Sequence, residues 1–75
     1  MKELLLYIAR SLVDHPDQVT VTEVGEADDL TLELRVAPDD MGKVIGKQGR
    51  IAKAIRSVVK AASSKDNTRV DVEIV

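Results

Sequence analysis

The fold is decided by the stretch GKVIGKQGRIAKAI, which occupies residues 42–55 of this 75-residue chain. Gly46 and Gly49 interrupt it, so the pattern predicts a short helix, a tight turn and a further helix that starts near Arg50. Two glycines separated by two residues are a weak signal, because an ordinary helix–helix turn has the same composition. The amphipathic segments on both sides make the signal informative.

Three features of this turn favour contact with a phosphate backbone. Glycines at both ends allow a polyanion to approach the main chain without a Cβ in the way. Lys47 and Arg50 place cations at the turn, and the N–H groups that open the following helix are donors to phosphate. Val44, Ile45 and Ile51 offer an apolar floor for a base. The same three side chains are also candidates for ordinary core packing.

Towards the N-terminus, the sequence predicts one helix and a hairpin. Residues 2–14 form the helix, and Pro16 ends it because the residue before a proline is pushed out of helical geometry. The apolar stripe of this helix consists of Leu5, Ile8, Ala9 and Leu12. Residues 19–24 are rich in β-branched side chains and residues 30–36 alternate apolar with polar ones, so both are predicted strands. The short turn at 25–29 indicates an antiparallel hairpin.

Towards the C-terminus, two helices and a strand are predicted. A second helix opens at residues 38–40, where an aspartate is available as its N-cap. A third helix covers residues 50–63, and after a polar turn at 63–67 the chain ends in a strand at 68–75. The apolar stripe of the third helix consists of Ile51, Ala54, Ile55, Val58 and Ala62. The order α-β-β-α-α-β describes a single α+β domain over residues 1–75, with three helices covering one face of a three-stranded sheet.

Charge is segregated along the chain. The net charge of −2 argues, taken alone, against a nucleic-acid partner. Residues 1–40, however, hold ten acidic and three basic residues, whereas residues 41–65 hold seven basic residues and no acid. The seven are Lys43, Lys47, Arg50, Lys53, Arg56, Lys60 and Lys65. A solvated helix face usually mixes signs to gain i,i+4 pairs. The one-signed segment therefore favours a polyanionic partner.

Composition argues against several other classes. The chain has no cysteine, which removes disulfides and thiol chemistry, and a single histidine, His15, disfavours histidine-based metal or catalytic sites. No apolar run approaches the ~20 residues that span a bilayer, and no secretory signal is visible. Tyr7 is the sole aromatic, which disfavours readers that stack bases on aromatic platforms. We therefore expect a cytoplasmic, non-enzymatic protein without cofactor, metal, membrane contact or small-molecule substrate.

The segment Ile45-Gly46-Lys47-Gln48-Gly49-Arg50, followed by Ile55, resembles the I-G-x-x-G signature of KH domains. The element order implies the prokaryotic (type II) arrangement. Length and the run 41–56 are similar to the stand-alone bacterial KH proteins called KhpA. This resemblance covers the whole chain. It implies binding of single-stranded RNA, a role as RNA chaperone or post-transcriptional regulator, and homodimers or pairing with a larger KH protein, KhpB.

One position departs from the general KH pattern. Three residues after the second glycine, where KH domains carry a large aliphatic side chain, this chain has Ala52. Either the third helix is slightly rotated or a smaller side chain packs there.

The resemblance and the charge pattern together define one set of candidate RNA-binding residues. They are Gly42, Lys43, Val44, Ile45, Gly46, Lys47, Gln48, Gly49, Arg50, Ile51 and Lys53. The alternative is a protein-interaction module that keeps the KH fold and uses its surfaces for assembly. The acid-free segment favours RNA, because a protein partner would not demand uniform charge.

Overall fold

The structure, a computed structural model, describes residues 1–26, 28–64 and 68–75. The predicted turns at 25–29 and 63–67 lie partly outside these residues. The cation Lys65 lies wholly outside them. The helices and strands are α1 (Lys2–Leu12), β1 (Thr20–Glu26), β2 (Asp29–Arg35), α2 (Met41–Ile45), α3 (Arg50–Ser63) and β3 (Arg69–Ile74). This order confirms the predicted α-β-β-α-α-β succession.

Two of the differences between predicted and observed element boundaries follow from the backbone geometry. The first helix ends at Leu12 rather than at residue 14, because Val13 already has extended backbone geometry. The hairpin is longer than expected, since Gly25 pairs with Leu30 in the ladder instead of belonging to the turn. Gly25 achieves this with φ of 114°, a conformation that side chains rarely tolerate.

The sheet has the order β1-β2-β3 and is mixed. β1 and β2 are antiparallel, as the short turn predicted. β2 and β3 are parallel, with Leu32 opposite Val72, so the chain between them must cross over the sheet. The segment that contains α2 and α3 forms this crossover.

The core lies between the sheet and the three helices. Its buried apolar side chains are Leu5 and Ala9 of α1, Val19 and Val21 beside and on β1, Leu32 and Leu34 of β2, Val44 of α2, Ile55 and Val59 of α3, and Val70 and Val72 of β3. Alternate strand residues supply the sheet side of this core, as the two-residue period requires. None of the helices in the described ranges has the length and apolar character needed to cross a membrane.

The stripe predicted for the third helix is wrong in phase. α3 buries Ala52, Ile55, Val59 and Ser63. Of the predicted set only Ile55 is buried, whereas Ala54 and Val58 are exposed. Apolar side chains lie on two adjacent sides of this helix. Periodicity alone therefore does not determine which of the two sides is buried. Contact with the sheet selects the side that carries Val59.

Candidate nucleic-acid interface

The loop between α2 and α3 is built from left-handed backbone. Gly46, Gln48 and Gly49 have φ of 75°, 58° and 73°, a region that glycine enters freely and other residues rarely adopt. Lys47–Gly49 make a single 3-10 turn, in which the Gly49 N–H donates to the Gly46 carbonyl at 3.1 Å. The side chains of Lys47 and Gln48 are exposed at its tip.

The three glycines of this region have different physical roles. Gly46 lies against Ile51, which leaves no room for a Cβ. Gly49 has open space around it and is required only by its positive φ. Gly42 lies in α2 with no atom near the position of a Cβ. The absence of a side chain there leaves the backbone of this helix accessible. Close approach of a polyanion was predicted at Gly46 and Gly49 and stays a prediction; the space around Gly49 is open, whereas Gly46 is packed against Ile51.

The N-terminus of α3 opens directly from this loop. Its N-cap is Gly49, and no side chain caps the helix. The Arg50 N–H already donates to the Lys47 carbonyl, and the first turn of the helix carries the positive end of the helix dipole. Arg50 and Lys53 lie in this first turn and are exposed. The loop and the helix start thus place partial and full positive charges at one end of the domain.

Most of the predicted cations are available to a ligand. In the part of the chain that the structure describes, the ion pairs involve only Lys43 and Arg69. Lys47, Arg50 and Lys53 therefore have no carboxylate within ion-pair distance among those residues. Unpaired cations attract a polyanion without first having to release an internal partner.

Lys43 is the exception among the predicted RNA contacts. Its ammonium forms an ion pair with Asp14 and lies 3.7 Å from Oδ1 of Asp40. The hydrogen bond to the Asp14 side chain, with the charges of both carboxylates, outweighs burial and raises the pKa of Lys43 above its ordinary value. In this conformation two carboxylates already neutralise the Lys43 charge.

For the three aliphatic residues beside the loop, the sequence allowed two roles, a floor for a base or ordinary core packing. The structure divides the three residues between these roles. Val44 is fully buried and belongs to the core, so it has no surface to offer a base. Ile45 is 36% exposed beside the loop and is available as floor, and Ile51 is half-buried. Ala52 is buried, which shows that a small side chain packs at the position where KH domains usually carry a large one.

A groove between α3 and the outer edge of β3 was not predicted from the sequence. Arg56 crosses it, and its Nε donates to the main-chain oxygen of Val72 at 3.1 Å. The groove has a cavity volume of about 170 Å³ and is lined by Arg56, Lys60, Val70, Asp71 and Val72. It exists because β3 is an edge strand paired in parallel with β2, which only the tertiary structure reveals.

A second groove lies on the other flank of α3, against α1. Its volume is about 520 Å³, and its lining is apolar apart from Arg50 at one end. The lining residues are Leu4, Tyr7, Ile8, Leu12, Arg50, Ile51, Ala54, Ile55 and Val58. Most of the residues that were predicted to form the core stripe of the third helix therefore line this surface groove instead.

Comparison with known proteins gives consistent matches over the whole chain. A family model of the KH domain of KhpA and KhpB matches residues 2–74. The protein named RNA-binding protein KhpA of Clostridium acetobutylicum is 67% identical over 75 residues, covering both chains completely. Proteins of the same name from Caldanaerobacter subterraneus and Listeria monocytogenes are 59% and 51% identical over 75 residues, covering all of this chain and 100% and 99% of theirs.

Solved structures support the same architecture. A crystal structure of Aquifex aeolicus Era with GDP and aluminium fluoride bound superposes with a TM-score of 0.68 over 97% of this chain, at 20% sequence identity. This chain spans 28% of that structure. At this identity the match establishes a shared fold and carries no further argument.

Proposed function

This chain belongs to the KhpA/KhpB KH-domain family, and from that premise we propose that it binds single-stranded RNA through the loop Gly46–Gly49. The predicted α+β fold of the prokaryotic KH type is confirmed by the family match and by the element order. The relatives are named as RNA-binding proteins and not as enzymes, which supports a binding role rather than a catalytic one.

One observation carries the proposal most directly. The left-handed loop meets the uncapped start of α3 where Lys47, Arg50 and Lys53 are exposed and lack carboxylate partners among the described residues. A phosphate beside this loop would face backbone donors and three unpaired cations at once. The acidic remainder of the chain repels a polyanion from the other surfaces and so directs it to this one.

The surface suits an unpaired strand better than a duplex. A KH loop clamps the backbone of about four nucleotides, and the bases must be splayed out to lie on the protein. Ile45 and Ile51 supply aliphatic rather than aromatic surface beside the loop. With few hydrogen-bonding side chains there, we expect low sequence selectivity.

The test is a titration of labelled single-stranded RNA and of the same sequence as a duplex, over a range of salt concentrations. We expect tighter binding of the single strand and an affinity that falls with salt. Tighter binding of the duplex, or an affinity independent of salt, would contradict the proposal.

We also propose that the domain acts as a pair, either as a homodimer or with the KH domain of a KhpB-like protein. A lone KH groove holds about four nucleotides and binds weakly, and a second groove on the same RNA raises avidity. The apolar groove between α1 and α3 supports this, since Tyr7, Leu12 and Val58 lining it are 73%, 38% and 48% exposed. Exposed apolar surface of this kind marks an interaction site.

The geometry of α3 keeps the two surfaces apart except at Arg50 and Ile51, which lie beside the loop and also line the apolar groove. Successive helical residues are about 100° apart, which places Lys53, Arg56 and Lys60 on the flank that faces β3. Ala54 and Val58 lie on the flank that faces α1. A partner in the apolar groove would thus leave the cationic flank open to RNA.

Sedimentation tests the pairing. The parent should shift from the 8.2 kDa of one chain towards twice that mass as concentration rises. Tyr7→Glu, which puts a charge into the apolar groove, should remain monomeric, whereas Thr22→Glu on the exposed face of β1 should behave as the parent. A monomeric parent that also fails to bind the KH domain of KhpB would overturn this part of the proposal.

The cellular role is proposed from the same features. A short footprint with low selectivity suits an RNA chaperone or a post-transcriptional regulator in the cytoplasm. If instead the protein proves to be an assembly module that keeps the KH fold, RNA titrations will show no binding while the pairing experiment succeeds.

A further inference from the structure

Asp40 is a buried charge that the RNA-binding residues do not account for. The residue is 0% exposed, and no other charged residue among those described is buried. The sequence predicted an aspartate at this place as the N-cap of the second helix. Asp40 does occupy that position, but its side chain makes no capping hydrogen bond, so the predicted role is wrong and the burial needs another explanation.

Both carboxylate oxygens of Asp40 instead accept hydrogen bonds from a distant segment. Oδ1 accepts from the Asp14 N–H at 3.2 Å, and Oδ2 accepts from the His15 N–H at 3.0 Å. These donors follow the end of α1 and precede β1. The carboxylate therefore ties the connection between α1 and β1 to the residue that starts α2. Backbone donors and a buried carboxylate satisfied in this way are costly to separate.

α2 depends on such anchoring because it is short. It has five residues, Met41–Ile45, whereas isolated helices below about 12–15 residues are marginal in water. Its position must therefore come from tertiary contacts. The structure provides several, among them the fully buried Val44 near its end, the ion pair of Lys43 with Asp14 and the Asp40 hydrogen bonds at its start. Gly46 follows directly, so the orientation of α2 sets where the loop begins.

We infer that Asp40 is a positioning residue for RNA binding, which holds α2 and hence the loop Gly46–Gly49 in place without touching RNA. The effect of Asp40 on RNA binding rests on the proposed function, whereas the anchoring of α2 can be measured without RNA. Asp14 contributes twice, through its backbone N–H to Asp40 and through its carboxylate to Lys43.

The variant Asp40→Asn tests the anchor, with Asp39→Asn as its matched control. Both changes remove one negative charge beside α2, but Asp39 is exposed. Amide hydrogen exchange of Gly46 and Gly49 reports on the order of α2 and the loop, because the Gly46 N–H donates to the Gly42 carbonyl of α2 and the Gly49 N–H donates to the Gly46 carbonyl. We expect at least tenfold faster exchange in Asp40→Asn and parent-like exchange in Asp39→Asn. Equal exchange in the two variants would overturn the inference.

RNA titrations separate positioning from contact and from general instability. Asp40→Asn should weaken RNA binding about tenfold, while the slope of log affinity against log salt becomes no shallower than that of the parent, because no phosphate contact is lost and Lys43 loses one of its two carboxylate partners. Val21→Ala in the core of β1 lowers stability without touching the anchor and should keep the parent affinity at a temperature where both variants are folded. A shallower salt slope in Asp40→Asn, or equal losses of affinity in both variants, would contradict a positioning role.

Native-state exchange of the parent protein covers the case in which Asp40→Asn does not fold. Under mild denaturant the amides of Asp14, His15, Gly46 and Gly49 should open together, at lower denaturant than the core strands. Independent opening of the two segments would overturn the inference. If the parent itself fails to bind RNA, the proposed function fails, and the exchange data still decide whether Asp40 anchors the loop.

Discussion

The side chain of Ile51 occupies the space that a Cβ on Gly46 would need, since that atom would lie 2.5 Å from Cγ1 of Ile51. The end of α2 and the start of α3 thus touch across the loop. Contact of this kind means that the loop is shaped by packing as well as by backbone freedom, and it sets Gly46 apart from the other glycines nearby.

The three glycines should respond differently to alanine. Gly46→Ala combines a positive φ with the collision against Ile51 and should cost more than about 2 kcal/mol. Gly49→Ala meets only the backbone penalty of about 1–2 kcal/mol. Gly42→Ala, in helical backbone with open space, should be neutral or stabilise by up to about 1 kcal/mol. Urea midpoints at constant m-value give this ranking, and an equal cost at Gly46 and Gly49 would show that the Ile51 contact is unimportant.

Reversing charge at the loop tip should remove RNA binding without unfolding the domain. In Lys47→Asp/Gln48→Asp both changed side chains are exposed, and aspartate tolerates the left-handed backbone found at position 48. Like charges would then face the phosphates. The control Gln18→Asp/Arg35→Asp makes the same change of net charge on exposed residues elsewhere and should bind nearly as the parent does. If circular dichroism shows a folded loop variant that still binds RNA normally, the loop assignment is wrong.

The salt dependence of RNA affinity should distinguish unpaired cations from cations that already form ion pairs within the protein. Contacts from Lys47, Arg50 and Lys53 predict a slope near −2 for log affinity against log salt, at about −0.7 per contact to a single strand. Lys53→Gln should reduce the steepness by about 0.7. Lys43→Gln should change it less, because Asp14 and Asp40 already neutralise that ammonium. Equal effects of the two substitutions would mean that RNA displaces the carboxylates from Lys43.

Asp40 should make stability depend on acid pH. Burial raises the pKa of its carboxyl, but hydrogen bonds from the N–H groups of Asp14 and His15, with the charges of His15 and Lys43, outweigh burial and leave the pKa below its ordinary value of 3.8. A lowered pKa stabilises the fold above pH 3.8 and loses that contribution as pH falls through the lower value.

Thermal unfolding from neutral to low pH measures this contribution. The melting temperature of the parent should fall more steeply below pH 3.8 than that of Asp40→Asn, which has no titrating group at this position. Asp39→Asn should retain the steepness of the parent. Identical acid profiles for the parent and Asp40→Asn would show that Asp40 does not titrate with folding.

Local sequence determined much of this protein. Glycine spacing placed the loop, β-branched and alternating residues placed the strands, and the third helix has the predicted bounds at Arg50 and Ser63. These features depend on backbone freedom and on periods of two or 3.6 residues, which neighbouring residues specify by themselves. The segregation of charge was likewise visible in the sequence alone.

Only the tertiary structure decided how these elements use their surfaces. The phase of α3, with Val59 buried and Val58 exposed, depends on contact with the sheet, because the helix is apolar on two adjacent sides. The ion pair of Lys43 depends on Asp14, which lies 29 residues earlier in the chain, and the role of Asp40 depends on donors 26 and 25 residues earlier. Local pattern does not specify such partners, since their distance is set by how the crossover and α1 pack on the sheet.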